Sequence, residues 1–327
     1  MVVNLVKKKK KKLRIRMRAI ETLCYILVAI FTIVYAVKGG IKIHDNHEYQ
    51  RTDEYKLIEL GYTKEDTKVL LSKLKKEQIT FVLDNDYNKD YIDIVSNKFF
   101  KDKYFNDYVE YKLNHKTFTS DETVAVVNTH VNKGWYNEEY VSQTYNDLLV
   151  IANKFYKLPD DYNRDDIVNV SLSYSYAGNK ASKIVIESFE KMYDDIYNDL
   201  GVHLMINSSY RSYEAQERVY NGYKSTSLAY ADNHAARPGH SEHQTGLVLN
   251  ISSKENPTDT FDDSDEFKWL LDNSYKYGFI QRYPADKNYI TGFNETWLFR
   301  YVGPEVAKII HDEGITFDEY YAFYLEK

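Results

Sequence analysis

The stretch on which the reading of this chain turns is His240-Ser241-Glu242-His243-Gln244-Thr245-Gly246-Leu247-Val248-Leu249-Asn250. A polar turn holding two histidines and a glutamate runs into a strand over 246–251. Two further clusters flank it. One is Ser208-Ser209-Tyr210-Arg211-Ser212-Tyr213-Glu214-Ala215-Gln216, set between a buried strand at 202–206 and a short helix at 214–223. The other opens with Tyr277-Gly278-Phe279-Ile280-Gln281-Arg282-Tyr283-Pro284 and resumes at Glu295-Thr296-Trp297-Leu298-Phe299-Arg300. Apolar residues at helical spacing over 180–200, ended by Gly201, predict an amphipathic helix, with further helices at 267–277 and 304–313. Helices and short strands without regular alternation predict an α+β fold.

The chain has 327 residues, enough for one large domain or two ordinary ones. One cysteine excludes an internal disulfide framework and a cysteine-rich zinc site. The net charge of −6 is unevenly spread: residues 1–18 carry nine positive charges and no acid, leaving −15 for the rest. An acidic body is a poor partner for nucleic acid. The 32 tyrosines are spread over the whole body, as a compositional bias would place them.

Residues 20–37 are almost wholly apolar, and 23–37 carry no charge. A run of about 18 such residues can cross a bilayer as a helix. The basic flank predicts a cytoplasmic tail at 1–18, a transmembrane signal anchor at 19–38, and everything after Lys38 outside the cytoplasm. The competing reading is a signal peptide cut after Ala36, at Val34-Tyr35-Ala36. The apolar run is longer than a signal core, which favours the anchor. Cys24, at the start of the run, reads as a membrane-facing residue.

Residues 39–148 form the next region, a mainly helical membrane-proximal one. Polar residues over 39–55 predict a linker. Thr63-Lys64-Glu65-Asp66 caps a helix carrying Val69, Leu70 and Leu74, and Ile92, Ile94, Val95, Phe99 and Phe100 predict another. The TVAVVN run at 123–128 reads as a strand. The last region, 149–327, holds all three clusters.

In those clusters the sequence resembles the VanY-type D-alanyl-D-alanine carboxypeptidases, zinc peptidases of bacterial cell walls related in fold to the VanX dipeptidases and the hedgehog signalling domain. The resemblance covers roughly 149–325. It implies a small antiparallel sheet flanked by helices. The family motif reads Ser-x-His-x-x-Gly-x-Ala-x-Asp, then Glu-x-Trp-His. The first His, the Asp and the last His bind zinc, the Glu is the general base, and an Arg in the Tyr-Arg-Ser cluster holds substrate and the developing oxyanion.

Carried onto this chain, Ser241, His243, Gly246, Glu295, Trp297 and Arg211 match, while Val248 stands for the Ala, Asn250 for the Asp and Leu298 for the last His. One zinc ligand of three therefore remains, His243. A catalytic zinc needs three protein ligands and an open position for water. Leu298 has no donor atom, and the neutral amide of Asn250 is a poorer ligand than a carboxylate. The expectation is a zinc-free pseudopeptidase. Arg211, Ser241 and Trp297 would be its ligand-binding residues, Glu295 a silent general-base position, and a peptidoglycan stem peptide its partner. Two alternatives stand: an active zinc D,D-carboxypeptidase that takes a further ligand from elsewhere, and a protein-interaction scaffold. Among the other histidines, His234 could approach the groove, and His240 and His311 read as structural or surface residues.

Overall fold

The computed structural model describes residues 2–143 and 148–326, apart from the side chains of 2–15, 19, 21, 46, 47, 258 and 259. The chain forms two compact units, Met1–Ser96 and Asn97–Lys327.

The first unit opens with a long helix, α1 (Val2–Tyr49). Within it Arg16–Asp45 is long and apolar enough to cross a membrane, its most apolar 18-residue window having a mean hydropathy of 2.2. The basic side chains at 7–12 lie outside the described residues. The expected linker over 39–55 is instead helical as far as Tyr49. Polarity alone does not end a helix. Charged residues such as Lys42 and Glu48 have good helix propensity, and the helix tolerates Gly39 and Gly40, which meet no neighbour. A new start comes at Thr52, whose hydroxyl accepts from the Tyr55 amide at 3.2 Å and caps α2 (Asp53–Leu60). The capping box expected at 63–66 is present. Thr63 and Asp66 exchange side-chain-to-backbone hydrogen bonds of 3.1 Å at the start of α3 (Lys64–Lys73). With α4 (Lys76–Leu83) and α5 (Lys89–Ser96), these short helices bury Leu57, Leu70, Ile79, Val82 and Ile94.

The second unit begins with α6 (Phe105–Asn114) and α7 (Ser120–Asn128). The run at 123–128 expected as a strand lies inside α7. Thr119 and Glu122 form a capping box at its start, and this local signal overrides the strand preference of the β-branched residues. Strand β1 (Tyr140–Val141) pairs in parallel with β2 (Tyr156–Lys157), and β3 (Ile167–Asn169) pairs antiparallel with β4 (Lys180–Ser182). The second unit thus opens at Asn97. Residues 97–141 are tied into the second unit by the β1–β2 pair and by a 2.9 Å hydrogen bond between His130 and Glu326.

The elements that build the site are, in chain order, α8 (Lys183–Leu200), β5 (Leu204–Ser208), α9 (Tyr213–Lys224), α10 (Leu228–His234), β6 (Val248–Ser253), α11 (Thr258–Phe261), α12 (Asp265–Asn273), β7 (Phe279–Gln281), α13 (Asn288–Thr291), β8 (Leu298–Tyr301), α14 (Pro304–Glu313) and α15 (Phe317–Tyr320). The fold is α+β. Strands β5, β6, β8 and β7 lie side by side in that order as one antiparallel sheet. Side chains alternate across a strand, so each strand serves two faces. Leu249 and Ile251 of β6 and Phe299 and Tyr301 of β8 join Val185, Phe189, Met192 and Ile196 of α8 and Phe267 and Leu270 of α12 in the main core. The intervening residues, Val248, Asn250, Leu298 and Arg300, belong to the opposite face, where the site is built.

Candidate functional site

One row of the sheet organises the site. Ser208 on β5 pairs with Asn250 on β6, and Asn250 pairs in turn with Leu298 on β8. The register of β5 shifts between Ile206 and Ser208, a bulge that re-aims the strand just where it enters the site.

The chain leaving β5 carries Ser209, Tyr210 and Arg211. This segment and the turn at Glu242–Thr245 hold each other twice. The Arg211 amide donates to the His243 carbonyl at 3.0 Å, and His243 Nδ1 lies 2.5 Å from the Ser209 carbonyl. Nδ1 is therefore the protonated nitrogen, and Nε2 is the ring's remaining acceptor. Gly246 ends the turn with φ +70°, a conformation that suits glycine, and a Cβ there would also collide with Ile167.

Beneath this turn lies a network that sequence reasoning did not identify. Glu242 is buried between Arg282, at 2.7 Å, and Arg300. Arg282 also binds Asp318, at 2.5 Å. Two cations thus balance two anions, all with less than 5% exposure. Arg300 further donates to the Leu148 and Val150 carbonyls at 2.8 Å each. Glu242 is the residue between Ser241 and His243, so the network fixes the turn that carries both. The signal available in the sequence is three charged residues, Glu242, Arg282 and Arg300, set within otherwise apolar or motif-bearing segments.

Arg211, Ser241, His243, Asn250, Glu295, Trp297 and Leu298 all line one cavity of about 290 Å3, so the structure brings every expected site residue together. Gln216, Tyr223, Phe293 and His234 line it too, and of these only His234 was anticipated from sequence. His240 lies elsewhere, between the Asn153 carbonyl at 2.7 Å and Glu139 at 3.0 Å. His311 stacks on Tyr275 with ring centroids 4.0 Å apart.

The electrostatics follow from burial. Desolvation, reinforced by the Arg211 charge, pushes His243 down to about 3, so the imidazole is neutral at physiological pH. Burial raises the Glu295 carboxyl above its ordinary range, against a lowering pull from Arg211. Arg211 donates to Gln216 Oε1 at 2.8 Å and reaches Ser208 Oγ at 3.5 Å. Among the described residues no carboxylate lies within ion-pair distance of it. A bridge from Arg211 to Glu295 is therefore not formed, and the guanidinium keeps donors for a ligand.

The donor set does not fit zinc. Leu298 is packed with Val248, Tyr283 and Phe293 and offers no lone pair. Asn250 Oδ1 is buried and meets no hydrogen-bond donor among the described residues. No three His, Cys, Asp or Glu side chains among the described residues come close enough to share a metal ion. At the positions that the resemblance gives to the zinc ligands, the cavity offers one nitrogen, one amide and one hydrocarbon.

A family model described as D-alanyl-D-alanine carboxypeptidase, VanY, matches residues 178–304. YodJ of Bacillus subtilis (strain 168), whose name assigns it to the carboxypeptidases, is 36% identical over 183 residues, covering 53% of this chain and 67% of that protein. The chain belongs to the VanY family. A D-alanyl-D-alanine carboxypeptidase of Enterococcus faecalis (strain ATCC 700802 / V583) is 33% identical, over 53% of this chain and 65% of the relative. The match thus spans about two thirds of these VanY-family relatives. Among solved structures, the LdcB LD-carboxypeptidase, described with the molecular basis of its peptidoglycan recognition, shares 35% identity and a TM-score of 0.53 over 56% of this chain and 89% of that one. The residues matched by the family model, 178–304, include the whole β5–β8 sheet and every residue that lines the cavity.

Proposed function

We propose that this protein is a membrane-anchored, extracytoplasmic VanY-family pseudopeptidase that binds peptidoglycan stem peptides without cleaving them. The observation that carries the reading is the composition of the cavity. It keeps the groups that hold a peptide end and lacks those that hold a metal. Arg211 offers a forked cation for a terminal carboxylate. The acceptors Asn250 Oδ1 and His243 Nε2 suit N–H donors of the same ligand. Glu295 retains the place of a general base, but a carboxylate alone does not lower the pKa of water, which in zinc enzymes falls from about 15.7 to about 7.

The location rests on α1, whose apolar stretch is preceded by the basic run, so that the VanY-like part would stand outside. The helical region before it would act as a membrane-proximal spacer, with the tail at 1–18 in the cytoplasm.

The test is calorimetric titration of the detergent-extracted full chain with a stem pentapeptide ending in D-Ala-D-Ala, with release of D-Ala followed in parallel. Saturable binding with no D-Ala released supports the reading. Release at an enzymatic rate, abolished by a chelator, contradicts it in favour of an active carboxypeptidase.

A further inference from the structure

The cavity, about 290 Å3, lies at the lower edge of the roughly 300–1,000 Å3 of sites that enclose a drug-sized ligand. A peptide whose end lies in it must emerge across its rim. Part of that rim is the hairpin of α9 and α10. The hairpin is firmly built. Tyr220, Ala231 and Ala235 pack between its helices, Tyr220 donates to Asp232 at 2.6 Å, and Arg237 grips the same carboxylate through two bonds of 2.8 and 2.9 Å.

On the outside of this hairpin three rings form a cluster. Tyr230 stacks on His234 with centroids 3.9 Å apart and 24° between planes, and Tyr223 lies 5.7 Å from His234 at 28°. Two of the three, Tyr223 and His234, also line the cavity, so the cluster is continuous with the site. Packing among the rings leaves Tyr223 38% and Tyr230 41% exposed, and His234 is exposed as well. His234 Nδ1 is engaged by the Tyr230 carbonyl at 2.8 Å, which leaves Nε2 as its polar edge.

We propose that this cluster is a saccharide platform, which binds an amino-sugar ring joined to the peptide held in the cavity. The chemistry selects the ligand. Every ring in the cluster has an apolar face and a polar edge. The negative face of an aromatic ring attracts polarised C–H groups, and the hydroxyl or ring nitrogen at its edge bonds polar groups beside them. A pyranose presents the same alternation, C–H faces bordered by hydroxyls. A second peptide segment would call for an apolar groove or a free strand edge, and this hairpin is helical and paired to itself. The inference rests on the reading of the cavity as a peptide site, and it extends the ligand from peptide to glycan-linked peptide.

The experiment compares two probes on the detergent-extracted full chain: the free stem pentapeptide, and the same peptide on an N-acetylglucosaminyl–N-acetylmuramoyl disaccharide. The disaccharide-linked probe should bind about tenfold tighter, as one good stacking contact would give. Tyr230→Ala should remove that preference and leave the affinity for free peptide within about twofold, while Tyr230→Phe should keep it. Equal affinity of the unmodified protein for the two probes overturns the platform, as does a preference that survives Tyr230→Ala. A free-peptide affinity that falls with Tyr230→Ala but not with Tyr230→Phe places peptide on the rings and also overturns it. Failure of both probes to bind sinks the peptide-site reading itself, and the platform with it.

Discussion

Asn250 and Leu298 face each other directly across neighbouring antiparallel strands. Residues paired in this way have Cβ atoms about 4.5–5.5 Å apart. By the resemblance, these are the positions at which the family motif carries an acid and a histidine, and the register here sets an amide against a hydrocarbon. His243 is brought to the same cavity by its turn.

The pair therefore specifies a repair. Asn250→Asp together with Leu298→His should give a chain that retains about one zinc after desalting. Either change alone should not, because two ligands leave the tetrahedral set incomplete. Metal analysis of the two single variants and the double variant decides the matter. A folded double variant free of zinc would show that the ligand positions are misplaced.

Arg211 is expected to carry recognition of the peptide's terminal carboxylate. Arg211→Ala should weaken binding of a D-Ala-D-Ala-ended peptide by about 10- to 100-fold, the range for a lost charge-assisted contact. Amidation of the peptide's C-terminus should cost the unmodified protein a similar factor and cost the variant almost nothing. Full additivity of the two losses in this calorimetric cycle would refute the contact.

Glu242 tests the buried network. Glu242→Gln leaves Arg282 with only Asp318 and leaves Arg300 without a carboxylate. Breaking a buried pair costs about 3–5 kcal/mol, which for a unit of this size corresponds to a melting shift on the order of 10 °C. A thermal melt within about 2 °C of the unmodified chain would show that the network is not a stabilising clamp.

How much of the molecule is legible in its sequence depends on the range of the forces involved. The helix at 304–313 and the strand at 246–251 are readable because periodicity and flanking glycines are local, and the structure has them as α14 and β6. The site residues are readable because they sit in three compact motifs. The run at 123–128 is deceptive. Its β-branched residues favour a strand, and the helix depends on Thr119 and Glu122, which cap it at its start. The clamp of Glu242, Arg282, Arg300 and Asp318 joins residues 40 or more positions apart in most of its pairs, and no periodicity announces such contacts. The Ser208–Asn250–Leu298 row is hidden for the same reason: strand register is set by the whole sheet.

Acid should loosen the C-terminal end. Burial alone would raise the Glu326 carboxyl, but hydrogen bonding to His130 and the charge of Lys101 override it and bring it down to about 2. A depressed carboxyl stabilises the fold above its unfolded value, about 4.3, and that stabilisation is lost as pH falls from there through about 2. Denaturation followed between pH 6 and about pH 2.5 should show that loss, and Glu326→Gln should flatten it. A variant as acid-sensitive as the parent would place the acid response elsewhere.

The most direct test of the account is the zinc content of the full chain, extracted in detergent, equilibrated with excess zinc and desalted. The account predicts far less than one zinc per chain, with the protein folded and still able to bind the stem peptide. About one tightly held zinc per chain would contradict it, and would mean that His243 finds partners that the register of β6 and β8 does not provide.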